Sequence, residues 1–151
     1  MKDAPLKILL SLCRSARLDS VGRLQTILDR ADPQDPSLCR HLQVLTLRQE
    51  ERLQELERLD SKVGVPFAWR PDETKTRRLL KRFFPSVTQG LGSGPMNREA
   101  AMHFVERLEE ENARFYHALA SRAPDEDSRG FFIREARVEE LQLKHTREVL
   151  L

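Results

Sequence analysis

The chain is short of the residues that punctuate folds and of those that most often carry chemistry. It has six glycines, two cysteines, one tryptophan and one tyrosine among 151 residues. No window shows the sustained Val/Ile/Thr alternation of a half-buried strand, which argues against a sheet. Two cysteines without CxxC spacing exclude a disulfide framework or a zinc knuckle; Cys13 and Cys39 are read as reduced, buried thiols of a cytosolic protein. Excess charge is lacking as well. A net charge of +2 excludes a globally basic nucleic-acid binder, so nucleic acid is not an expected partner. No run is apolar enough to span a bilayer. The opening MKDAPLKILLSLCRSAR has the lysine, apolar run and cysteine of a lipoprotein signal. However, the run covers only Ile8 to Cys13, and Leu12 is too large for the small residue expected before a cleavage point. A cytoplasmic location is the expectation. GLGSG (residues 90–94) lacks the lysine and preceding strand of a phosphate loop, and no Ser/His/Asp or Cys/His spacing points to a nucleophile.

What is present suits amphipathic helices: 39% hydrophobic and 33% charged residues, in a length that allows one modest core. Pro5 opens a first helical pattern through Leu9, Leu10, Cys13, Ala16, Leu24, Ile27 and Leu28. DPQDPS (32–37) stops it, and Asp35-Pro36 then serves as N-cap and first turn of a second helix with Leu38, Leu42, Leu45, Leu53, Leu56 and Leu59 on its stripe. Asn97 caps a third helix bearing Ala101, Val105, Leu108, Asn112, Phe115 and Leu119. After APDEDS a fourth runs over roughly 127–150. The links are short, long, short. One all-α domain over 1–151 follows, built from a helical hairpin at 4–63, a crossover at 64–97 and a second hairpin at 98–150.

The hairpins repeat each other. Under a shift of 92 residues, Leu10 falls on Met102, Cys13 on Val105, Ala16 on Leu108, Val21 on Ala113, Leu24 on Tyr116, Ile27 on Leu119 and Ala31 on Ala123. A shift of 88 superimposes ERLQ (51–54) on EELQ (139–142). The segment FVERLEEENARFYHALASRAPDEDSRGFFIREARVEELQ, residues 104–142, resembles the second half of ferritin-like, rubrerythrin-type domains. Glu109 stands seven residues before Tyr116, an acidic break follows, and Phe132, Ala136 and Glu139 follow in the spacing of the metal-binding helix.

The resemblance implies a ferritin-like four-helix bundle with a long crossover between helices 2 and 3. It also implies a di-iron or di-manganese centre held by one Glu from each of two helices and Glu-x-x-His from each of the others. The chain departs from that pattern: glutamines Gln54 and Gln142 replace both histidines, and Arg17 falls on the position of Glu109, with Asp19 the nearest carboxylate. A neutral amide is a poor transition-metal ligand, and a guanidinium repels a metal pair. The leading expectation is therefore a bundle that has lost its di-iron site, needs no cofactor and acts in structure or protein interaction. In it Arg17, helped by Arg48, balances Glu51, Glu109 and Glu139. The alternative is a rubrerythrin-like di-iron or di-manganese oxidoreductase using Glu51, Glu109 and Glu139, with the glutamines or Asp19 completing an atypical set. His41, His103, His117 and His145 are read as solvated or boundary residues, not ligands.

Two further surfaces stand out. KTRRLLKRFF gathers Lys75, Arg77, Arg78, Lys81 and Arg82 beside Leu79, Leu80, Phe83 and Phe84. This segment either docks on an acidic partner, a nucleic-acid backbone or an anionic membrane surface, or lies as an amphipathic helix on the bundle; the last is the default. Trp69 is expected to pin the same loop or an interface. In HLQVLTL (41–47), Leu42, Val44, Leu45 and Leu47 cannot all face one stripe, which together with the resemblance points to a homodimer.

Overall fold

The structure, a computed structural model, describes residues 6–63 and 94–150. It is all-helical over that range, with α1 at Leu6–Arg30, α2 at Pro36–Val63, α3 at Arg98–Ser121 and α4 at Glu126–Leu150. The crossover patch and Trp69 lie outside the described residues.

Each boundary has a local cause. The Asp35 side chain accepts from the Leu38 amide at 3.2 Å, Asn97 from Ala100 at 2.8 Å and Asp125 from Ser128 at 2.7 Å. All three satisfy an amide that the first helical turn leaves without a partner. Asp35 also accepts two hydrogen bonds from Arg98, at 2.7 and 2.6 Å. Beside that fork, the Met96 amide donates to the Arg30 carbonyl at 2.6 Å and the Asp32 amide to the Met96 carbonyl at 3.1 Å. The end of α1 and the start of α3 are thus stitched together.

The apolar core has two halves. One gathers Leu9, Leu10, Cys13, Ala16, Leu56, Phe115, Tyr116, Leu119 and Phe132; the other gathers Leu24, Ile27, Leu38, Leu42, Leu45, Phe104, Val105 and Leu108. Between them lies a belt of buried polar side chains: Arg17, Ser20, Gln49, Glu109, Asn112, Glu139 and Gln142. Of the residues paired by the 92-residue shift, Cys13/Val105, Ala16/Leu108, Leu24/Tyr116, Ile27/Leu119 and Ala31/Ala123 are buried on both sides. Ser20 and Asn112, themselves 92 apart, meet in the belt, with Asn112 Nδ2 donating to Ser20 Oγ at 3.1 Å.

For the second helix of each hairpin the register is different. Burial matches at a shift of 90, which sets Leu42 on Phe132, Thr46 on Ala136, Gln49 on Glu139 and Leu56 on Thr146, all buried. The 88-residue alignment of ERLQ with EELQ is corrected by this. Two residues turn a helix by about 200°, so Glu51 and Gln54 emerge on the exposed face of α2 while Glu139 and Gln142 are buried.

Candidate functional site

Arg17 is the centre of the belt. Its side chain is 1% exposed, yet it carries a charge, and every element around it supplies a partner. Nη1 donates to Gln49 Oε1 at 2.8 Å and to Glu139 Oε1 at 3.1 Å, and Nη2 pairs with Glu135 Oε2. The guanidinium carbon stands 4.6 Å from the Tyr116 ring centroid, on the negative face of that ring. Burial alone opposes the charge, but the surrounding acidic groups outweigh it and the Arg17 pKa is raised.

A second arginine completes the cluster. Arg52 Nη1 donates to Glu139 Oε1 at 2.7 Å, and its Nη2 pairs with Glu135 Oε2. Gln49 Nε2 adds a third donor to Glu139 Oε1, at 3.1 Å. Two guanidiniums thus meet two carboxylates, and the ionic cluster sums to zero. That balance is what allows charges out of water at all.

Glu109 lies in the same belt but outside that pairing. Its Oε1 accepts from Thr146 Oγ1 at 2.8 Å, and Thr146 Oγ1 is 3.0 Å from His41 Nε2. Because the threonine hydroxyl donates to Glu109, the His41 Nε2–H must donate to Thr146. Burial raises the Glu109 pKa to about 8, so its carboxyl is protonated at neutral pH; the Thr146 bond lowers it and Glu139 raises it further. Burial likewise lowers His41 to about 4 and keeps it neutral, with His145 and Arg48 adding to the effect. Sequence reading placed His41 at the boundary; it is buried instead.

Of the residues singled out from sequence, the fold brings Arg17, Glu109, Glu139 and Gln142 into the belt and leaves Glu51 and Gln54 outside it. Arg48 is also exposed, and Arg52 stands in the helping place expected of it. Asp19 is engaged by Arg23 Nε at 2.6 Å, one turn along the same helix. Gln49, Arg52 and Glu135 were not anticipated, and Tyr116 was singled out only for its spacing from Glu109. The signal that finds Gln49 and Arg52 is the 90-residue offset, under which Gln49-x-x-Arg52 falls on Glu139-x-x-Gln142.

Three buried oxygens of the belt, Glu109 Oε2, Glu139 Oε2 and Gln142 Oε1, have no hydrogen-bond partner among the described residues. No group of three or more His, Cys, Asp or Glu among those residues is arranged to hold a metal ion. Cys13 is fully buried, and burial pushes its thiol up to about 11, so it packs and does not react. No helix among the described residues is long and apolar enough to cross a membrane. No family model, curated protein or solved structure matches the chain.

Proposed function

We propose that the chain is a ferritin-like bundle in which two guanidinium groups occupy the place of a di-metal centre, and that it acts in structure or protein interaction. The observation that carries this reading is the convergence of Arg17 and Arg52 on Glu139 and Glu135 inside the bundle. Under the offsets that match burial, the four positions of a di-metal ligand set correspond to Arg17, Gln49-x-x-Arg52, Glu109 and Glu139-x-x-Gln142. Two of the four places present cations, and no histidine remains. The residues present do not fit an iron or manganese pair: Glu139 Oε1 already accepts from three donors, and Glu51 faces outward. In this reading residues 64–97 form the long crossover between α2 and α3.

Elemental analysis of the purified protein, before and after anaerobic Fe(II), tests the proposal. Retention of no iron or manganese is expected; two equivalents per chain would overturn it and restore the di-iron or di-manganese oxidoreductase.

Dimerisation belongs to the same reading. Val44 and Leu47 are exposed on the outer side of α2, Leu47 at 55%. Light scattering on Leu47→Lys should show a monomer where the unaltered chain is a dimer.

A further inference from the structure

Outside the belt, α2 and α4 form the least closely packed of the seams between adjacent helices and leave a groove of about 400 Å³. Arg48 lines it from α2, and Val138, Leu141, Gln142 and His145 line it from α4. That volume lies at the small end of ligand pockets, roughly 300–1,000 Å³, and is too little for a docked helix.

Its lining is one-sided in charge. No carboxylate contributes to the groove among the described residues, and Arg48 makes no ion pair with any of them. Gln142 is 7% exposed, and its Oε1 is buried without a partner, which leaves the amide N–H₂ as the end that faces the groove. His145 offers an imidazole N–H. Against these donors stand two aliphatic side chains, Val138 and Leu141, the latter 66% exposed. Donors without acceptors select an anion, a planar guanidinium favours a carboxylate, and an apolar wall favours an alkyl body.

We propose that this groove binds a small aliphatic carboxylate. The carboxylate lies on the Arg48 guanidinium, with the Gln142 amide and His145 as further donors, and the alkyl chain lies on Val138 and Leu141. The site stands outside the Arg17 cluster and shares only Gln142 with the belt.

Hexanoate titrated into the ¹⁵N-labelled full chain tests this, with hexylammonium and inorganic phosphate as comparison probes. Saturable shifts at the amides of Leu141, Gln142 and His145 are expected with hexanoate and with neither comparison probe. Arg48→Gln should weaken binding roughly tenfold, the loss of one charge-assisted hydrogen bond, and Leu141→Asp should abolish it. Both positions are exposed, so unchanged thermal unfolding will show that each variant is folded. Absence of saturable shifts with hexanoate overturns the proposal. So does equal binding of hexylammonium or phosphate, or an unaltered affinity in Arg48→Gln.

Discussion

Two buried polar groups sit in one bundle and meet the same difficulty in opposite ways. Around Arg17 the carboxylates Glu135 and Glu139 are paired with two guanidiniums that reach them within hydrogen-bond distance. Around Thr146, Glu109 and His41 have no counter-ion within such reach among the described residues, and each is neutral at pH 7 through a displaced pKa. One group is neutral only in sum, the other member by member. The difference shows two ways of keeping a carboxyl inside a helical bundle. Glu109 and Glu139 are both at most 3% exposed, so burial does not separate them; the pairing of Glu139 with two guanidiniums does.

The largest effect that tests the contrast is the removal of Arg17. Arg17→Ala leaves Glu139 fully buried with half its pairing gone, and should lose about 3–5 kcal/mol of stability in urea denaturation. That is a large part of the ~5–15 kcal/mol typical of a domain. Arg17→Met combined with Glu139→Met should lose much less than the sum of the single changes, because the apolar pair leaves no orphaned charge. A loss near zero for Arg17→Ala would mean that water or Arg52 alone keeps Glu139 satisfied, and the account of a paired centre would fail.

Glu109 gives the next largest effect, and it is read against pH. Its pKa rises from an ordinary 4.5 to about 8 on folding, so the folded state holds a proton that the unfolded state releases between those values. Stability from this group is therefore complete below pH 4.5 and is lost as pH rises towards 8, by roughly 3 kcal/mol between pH 4.5 and 7. His41 has the opposite sign. Its folded pKa of about 4 lies below the ordinary 6.5, so it lowers stability as pH falls through that window. The difference between the unaltered chain and Glu109→Gln, measured by chemical denaturation from pH 4 to 8, removes the His41 contribution. It should fall with rising pH; a flat difference would show that Glu109 is ionised in the fold.

Thr146→Val cuts the link between the two neutral groups. It leaves His41 Nε2–H without its acceptor and Glu109 Oε1 without its donor, and should destabilise by roughly 1–3 kcal/mol. Because the Thr146 bond lowers the Glu109 pKa, its loss should also carry the pH-dependent decline further into the alkaline range.

Much of the fold was legible because its signals are local. The Asp35 and Asn97 caps and the apolar stripes of α1 and α3 each depend on neighbours within a few turns, and the 92-residue repeat follows from the likeness of those two stripes. Arg17 was also legible, since the same repeat set a cation opposite Glu109. The register of α2 was not. ERLQ and EELQ agree at three of their four letters, and that likeness of side chains outweighed the apolar period, which at a shift of 90 sets Leu42 on Phe132 and Gln49 on Glu139. On a helix rich in Leu, Glu, Arg and Gln, a two-residue slip finds plausible partners in either register. Only the packing of α2 in the bundle, chiefly against α1, chooses between them. Arg52 was hidden for the same reason; Glu135, His41 and Thr146 were hidden because their pairings are long-range, 118 residues for Arg17 with Glu135 and 105 for His41 with Thr146.

The smallest expected effect separates burial from pairing. Arg147 on α4 reaches two carboxylates of α3, with Nη2 3.2 Å from Glu110 Oε1 and Nε 3.6 Å from Glu106 Oε1. By partner count it equals Arg17, which also meets two carboxylates, but its side chain is 48% exposed. Water already solvates all three groups, salt screens their attraction, and holding a long side chain in one geometry offsets much of the gain. Arg147→Ala should accordingly change stability by less than ~0.5 kcal/mol, and that change should vanish in high salt. Arg17→Ala should keep most of its effect under the same salt, since ions cannot enter the belt. If the two variants responded alike, the number of partners would be what matters, and burial would not be what makes the Arg17 cluster hold the bundle together.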